Sequence, residues 1–204
     1  MRKTLARLSA RLIRGAHLEF SRAKLRARRT VATRRNASPV GAIFSQSGSI
    51  AEEIEARLRA ATTSIDAALY RFNNLRLSEA LQDAQGRGVD VRLIIDHGKF
   101  DDSDSTRALL SKAPFPFRLS HGRDGVKSKM HHKFVVLDGR TVLTGSYNWT
   151  SASEEENYES LLILQDRLIV GLHCQEFASL WTTATEVQRS ESDQVAVLSA
   201  CLSP

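Results

Sequence analysis

Apolar positions recur with two different periods along this chain, and the switches between them lay out its elements. Residues 40–44 read as a short strand. Ser49-Ile50-Ala51-Glu52 carries the Ser-x-x-Glu signature of a helix start. Ile50, Ile54 and Leu58 then repeat at four-residue spacing, which predicts a helix to about Ala61. Residues 64–70 are apolar enough for a central strand. A helix over 78–85 turns Ala80, Leu81 and Ala84 inward and stops at Gly86 and Gly88, the residue type that closes helices. Residues 89–95 form a third strand. This alternation predicts an α/β fold, with a parallel or mixed central sheet covered by helices.

The second half is more broken. Residues 96–104 read as an acidic loop and 105–112 as a short helix, ended by Ala113-Pro114-Phe115-Pro116. A strand over 117–120 leads into a polar loop over 121–129. Phe134 to Leu137 is an apolar run stopped by Asp138-Gly139, and Thr141, Val142 and Leu143 begin a second strand that stops at Gly145-Ser146. Glu154-Glu155-Glu156 suits the first turn of a helix. A last strand over 159–164 and a helix over 166–181 complete the pattern, which contains no internal repeat. Before it, residues 1–38 read as a basic amphipathic helix and an Arg-rich linker, with Leu5, Leu8, Leu12 and Ile13 on one face and a boundary at Asn36-Ala37-Ser38-Pro39. The expected division is an arm over 1–38, a folded domain over 39–186 and a tail over 187–204.

Charge sharpens this division. The chain of 204 residues carries a formal charge of +6. Residues 1–40 hold 12 of the 29 Lys and Arg and one acid, Glu19, while the remaining 164 residues hold 17 basic and 22 acidic side chains. The basic character therefore belongs to the arm, which suits an acidic partner, either nucleic acid or an anionic membrane surface. Two cysteines, Cys174 and Cys201, make neither a disulfide framework nor a zinc spacing. Arg7, Arg11 and Arg14 interrupt every candidate signal core, and no stretch is long and apolar enough for a transmembrane helix. The expected compartment is the cytoplasm. An Arg-rich, acid-poor start also fits an organellar transit peptide or a membrane-peripheral arm.

The chemistry concentrates in one hairpin. Side chains alternate along a strand, so His131 and Lys133 point one way and His132 and Phe134 the other. An imidazole and an ammonium thus stand together at the mouth of an apolar hairpin. A core has no use for that pair, whereas an anionic substrate has. A neutral imidazole is a nucleophile, and the ammonium stabilises negative charge. Asn148 adds an amide donor and Ser146 a hydroxyl. Asp138, an odd number of residues from Lys133 and at the turn, is expected to pin the structure rather than to react. Arg123, Lys127 and Lys129, in the polar loop leading into the strand, are expected to guide a phosphate backbone.

His131-x-Lys133, Asp138, Gly145, Ser146 and Asn148 follow the spacing His-x-Lys, four residues, Asp, six residues, Gly-Ser-x-Asn. With this motif the chain resembles the phospholipase D superfamily, and its single short copy is similar to the small Nuc-type endonucleases and the mitochondrial cardiolipin hydrolase/Zucchini group. The likeness covers roughly residues 40–181. It implies a phospholipase D-like fold and a hydrolase working through a phosphohistidine on His131, without metal or cofactor. By the same resemblance, Glu159 holds the second ring nitrogen of His131. The family reaction uses two histidines, and one motif supplies one. A homodimer sharing its active site across a two-fold axis is therefore expected.

Three functions remain. The first is a nuclease of low sequence specificity acting on DNA or RNA, favoured by the basic arm. The second is a phospholipase D or cardiolipin hydrolase, with the arm lying on an anionic membrane. The third is a catalytically silent nucleic-acid or membrane binding module, against which the full set of site residues speaks.

Overall fold

The computed structural model describes residues 41–187. The arm over 1–38, its boundary segment, Val40 and the segment from Gln188 to Pro204 lie outside the described residues. The elements run in the order β1 (Gly41–Phe44), α1 (Ile50–Ala60), β2 (Ser64–Leu69), α2 (Leu75–Gly86), β3 (Asp90–Asp96), α3 (His97–Asp101) and α4 (Asp104–Ser111). They continue with β4 (Phe117–Gly122), β5 (Gly125–Lys129), β6 (Lys133–Leu137), β7 (Thr141–Gly145), α5 (Ser151–Glu155), β8 (Ser160–Leu164), α6 (Arg167–Thr183) and β9 (Thr185–Glu186).

Among the described residues the strands make one mixed sheet in the order β1-β8-β7-β6-β2-β3-β4-β5, with β9 beside β4. Strands β2, β3 and β4 run parallel, while β6 joins β2 antiparallel and brings in the hairpin. Both faces are covered. Ile50, Ile54 and Leu58 of α1 and Leu77, Ala80, Leu81 and Ala84 of α2 share one core cluster with Ile65, Leu93 and Val135. Val170 and Phe177 of α6 share the other with Ala68, Ile94, Phe134 and Val142. The register Leu69↔Lys133 places the mouth of the hairpin at the C-terminal ends of β2 and β3. Ligand sites of open α/β sheets gather at such ends.

Local chemistry explains the boundaries. Ser49 accepts the Glu52 N–H at 3.0 Å and starts α1. Helix α2 begins earlier than the apolar spacing suggests, because Asn74 caps it by accepting the Leu77 N–H at 3.2 Å. Gly88 follows its C-cap with φ +86°, the left-handed position for which glycine is suited. Asp138 and Gly139 both have positive φ, as the tight turn of a twisted hairpin requires.

Two segments differ from the sequence reading. The acidic loop over 96–104 contains α3, because the Asp96 carboxylate caps it by accepting the Lys99 N–H at 3.0 Å. The polar loop over 121–129 is a strand pair, β4 extended to Gly122 and then β5. Most of β5 is solvent-exposed, so it lacks the apolar alternation by which strands are read from sequence.

Candidate active site

Residues Met130 to His132, just before β6, are fixed by their backbone rather than by packing alone. The Met130 N–H donates to Asp96 Oδ2 at 2.8 Å, and the Tyr70 N–H donates to His132 O at 2.8 Å. Asp96 is buried at the end of β3. The ends of β2 and β3 thus hold the segment at two points, and His131 stands exposed above them.

The Lys133 ammonium lies 3.4 Å from both ring nitrogens of His131 and donates to the His131 carbonyl at 3.1 Å. A lysine can donate to an imidazole nitrogen only when that nitrogen is unprotonated, so the contact favours the neutral ring. Partial burial pushes the His131 imidazole below its ordinary value, and the charge of Lys133 pushes the same way. Burial likewise lowers the Lys133 ammonium, opposed by the charge of Glu159. The Tyr70 ring lies against the imidazole, with ring centroids 4.3 Å apart and planes inclined by 53°.

The remaining motif residues form a scaffold beside this pair. The Ser146 hydroxyl donates to the Glu159 carboxylate and accepts the Ser160 N–H at 3.1 Å. Glu159 is also approached by Asn157 Nδ2 at 3.4 Å. Among the described residues the hydrogen-bond partners of the Glu159 carboxylate are therefore Ser146 and Asn157, while His131 is flanked by Lys133 and Tyr70. Asn148 Oδ1 is buried without a hydrogen-bond partner among the described residues. Gly145 is needed for closeness, since a Cβ there would meet Ser160 O at 2.1 Å. Asp138 lies at the far end of the hairpin. Its carboxylate accepts the N–H groups of Thr62, Thr63 and Ser64 at 3.0, 2.7 and 3.1 Å and the hydroxyls of Thr62 and Thr63. These donors pull its pKa down to about 2 against the opposing effect of burial.

A cleft of about 540 Å³ opens beside His131, lined by His121, Arg123, Lys129, Met130, His132, Glu176 and Leu180 among others. Arg123 and Lys129 of the basic segment reach it, whereas Lys127 lies exposed on β5 and does not line it. His132 faces α6, where Nε2 is 3.0 Å from Glu176 and the ring meets Phe134 edge-on. His121 stacks on His97 at 4.4 Å. Among the described residues no group of three or more His, Cys, Asp or Glu is arranged to hold a metal ion.

The family model described as "Cardiolipin synthase, PLD-like domain" matches residues 54–181. The chain belongs to the phospholipase D superfamily. Among its relatives, human "Mitochondrial cardiolipin hydrolase" is 38% identical over 124 residues, covering 61% of this chain and 48% of that protein. A "Phospholipase D" of Rickettsia prowazekii is 28% identical over 150 residues, covering 74% of this chain and 71% of that protein. The chain thus spans about half the length of the mitochondrial cardiolipin hydrolases it matches. The crystal structure of "a phospholipase D family member, Nuc" from Salmonella typhimurium is similar, with a TM-score of 0.66 and 26% identity over 74% of this chain and 98% of that one. NucT from Helicobacter pylori shares the fold, with a TM-score of 0.65 at 20% identity over 72% of this chain and 99% of that one.

Sequence reasoning missed three residues that contact the segment before β6: Tyr70, Asp96 and Glu176. Tyr70 and Asp96 had a signal, since each ends an apolar strand of an α/β pattern, where such sheets place their ligands. Glu176 had none, because only the packing of α6 brings it to His132.

Proposed function

We propose that this chain is a phosphodiesterase in which His131 attacks phosphorus and forms a phosphohistidine. The observation that carries the reading is Lys133 Nζ, 3.4 Å from each ring nitrogen of His131. One side chain keeps the nucleophile neutral and presents a positive charge where phosphoryl oxygens gather. A ring nitrogen of His131 forms the bond to phosphorus as the bond to the leaving oxygen breaks. His131 of a second copy, protonated beside the anionic substrate, gives that oxygen a proton. The same imidazole, now neutral, takes a proton from water, which attacks the phosphohistidine and frees His131 and the phosphate product. The dimer supplies the second imidazole, and Asn148 and Lys133 of each copy stabilise the charge. Ser146 and Glu159 support the strand ends beneath them. Arg123, Lys127 and Lys129 steer the phosphate backbone of the substrate. The reaction needs no metal or cofactor.

Nucleic acid is the substrate class we favour, cleaved with little regard to sequence. Arg123 and Lys129 line the cleft beside His131, and the arm carries 12 basic residues. The second reading is hydrolysis of a membrane phospholipid such as cardiolipin, with the arm lying on an anionic membrane. The names of the mitochondrial relatives support it, and they also favour an organellar over a cytoplasmic placement. Among the described residues no helix is long and apolar enough to cross a membrane.

One set of incubations tests both readings. Wild type and His131→Ala, each with and without residues 1–38, are given single-stranded DNA, RNA, duplex DNA and cardiolipin vesicles. Wild type is expected to cleave nucleic acid in the presence of a chelator, and His131→Ala to lose about 10³-fold or more in rate. Unchanged turnover by His131→Ala would remove the enzyme reading. Cleavage confined to the vesicles would replace nucleic acid by phospholipid.

A further inference from the structure

We propose that Tyr70 is a positioning residue for the reaction, holding the His131 imidazole with its ring and the Lys129 ammonium with its hydroxyl. The proposal rests on the phosphodiesterase reading of His131.

Tyr70 directly follows β2 and is 8% exposed, so its ring is a fixed wall rather than a mobile surface group. That wall lies 4.3 Å from the imidazole centroid. The Tyr70 N–H also donates to His132 O, so one residue fixes both the backbone beside the nucleophile and the ring itself. Its hydroxyl accepts a hydrogen bond from Lys129 Nζ at 3.3 Å. Three cations surround the ring. Lys133 Nζ lies 5.1 Å, Arg71 Cζ 5.6 Å and Lys129 Nζ 5.8 Å from its centroid.

Like charges gathered this closely repel one another; Glu159 attracts Lys133 and Asp102 attracts Lys129 and Arg71, but among the described residues no one carboxylate serves all three. A carboxylate there would attract them and would also repel a phosphodiester. An aromatic face attracts cations through its quadrupole and carries no net charge. Tyr70 therefore gathers positive charge while leaving it available to an anion. Its two contributions are separable: the ring serves His131 and Lys133, and the hydroxyl serves Lys129.

The test compares Tyr70→Phe, Tyr70→Leu and Tyr70→Met with wild type and His131→Ala, all as full chains checked for folding by circular dichroism. The substrates are bis(4-nitrophenyl) phosphate, with one phosphate, and whichever nucleic acid or cardiolipin vesicle the wild type cleaves. Tyr70→Phe is expected to keep kcat within about twofold on the small diester and to raise KM for the larger anion about 3- to 10-fold. Tyr70→Leu and Tyr70→Met are expected to lose about 10- to 100-fold in kcat on both substrates. They should also move the acid limb of the pH–rate profile to higher pH, since the imidazole gains water. Asp96, Lys129, Lys133 and His132 also act on that imidazole. Tyr70→Phe frees Lys129 alone and so serves as the control for its share.

Folded Leu and Met variants with wild-type kcat and an unmoved acid limb would overturn the role of the ring. Should both fail to fold, Tyr70→Phe decides alone, and an unchanged KM for the larger anion would overturn the proposal. Activity retained by His131→Ala would instead overturn the reading of the site itself.

Discussion

The hydroxyl of Ser146 donates to the carboxylate of Glu159, which is only 9% exposed. The same hydroxyl accepts the Ser160 N–H, so it joins the end of β7 to the start of β8. Removing it leaves a buried carboxylate short of a donor and a strand N–H without an acceptor. Ser146→Ala is expected to cost about 1–3 kcal/mol of stability, read as a lower urea midpoint with an unchanged slope. A midpoint equal to wild type would show that water replaces the hydroxyl without loss.

The pH dependence of turnover should report His131. Burial and the Lys133 charge hold its imidazole below the ordinary value near 6.5, so this ring stays neutral to lower pH than a free histidine. The acid limb of kcat/KM is therefore expected below that value. Lys133→Gln removes one of the effects that lower it and should move the limb upward, while lowering kcat by about 10²- to 10³-fold through lost charge stabilisation. A limb that stays in place on substitution of Lys133 would assign it to another group.

Gly145 permits the close approach of β7 to β8, and any Cβ would collide with the Ser160 carbonyl. Gly145→Ala is expected to destabilise by about 3 kcal/mol or more, because the obstacle is backbone and cannot swing away. Gly86→Ala is the comparison, since a Cβ there meets nothing within 4 Å. Melting temperatures of the two variants separate steric closeness from the general effect of replacing glycine.

Asp138 makes stability depend on acid. Its carboxyl is depressed to about 2 in the folded chain, below the value near 3.9 expected when unfolded. A depressed carboxyl contributes stability that is fully present above the unfolded value and is lost as pH falls toward the folded one. The contribution is about 2 kcal/mol, allowing for partial contact with water. Asp138→Asn should therefore unfold more easily than wild type at pH 7, and the gap should close as pH falls from about 4 to 2. Denaturant titrations at several pH values measure it.

Much of this fold could be read from the sequence because its central strands are buried. Val91 to Ile95 and Phe134 to Leu137 announce themselves as apolar runs, and the Asp138-Gly139 turn fixes the hairpin between the second of these and β7. The pairing of His131 with Lys133 followed from alternation alone. What stayed hidden has physical causes. Strand β5 is polar because it is exposed on both faces, so no periodicity marks it. Helix α3 spans five residues and rests on one capping carboxylate, too short for any apolar stripe. Tyr70 looked like the last residue of a core strand, and only the third dimension turns its ring toward an imidazole sixty-one positions away.

Two neighbouring histidines precede β6, and their side-chain chemistry is identical. The ladder that pairs Leu69 with Lys133 decides which of them meets the cations and which is sent to Glu176. A slip of one residue would exchange their places, since every side chain of a strand changes sides. Which ring faces the cations is thus written in main-chain amides, out of reach of side-chain substitution at either histidine.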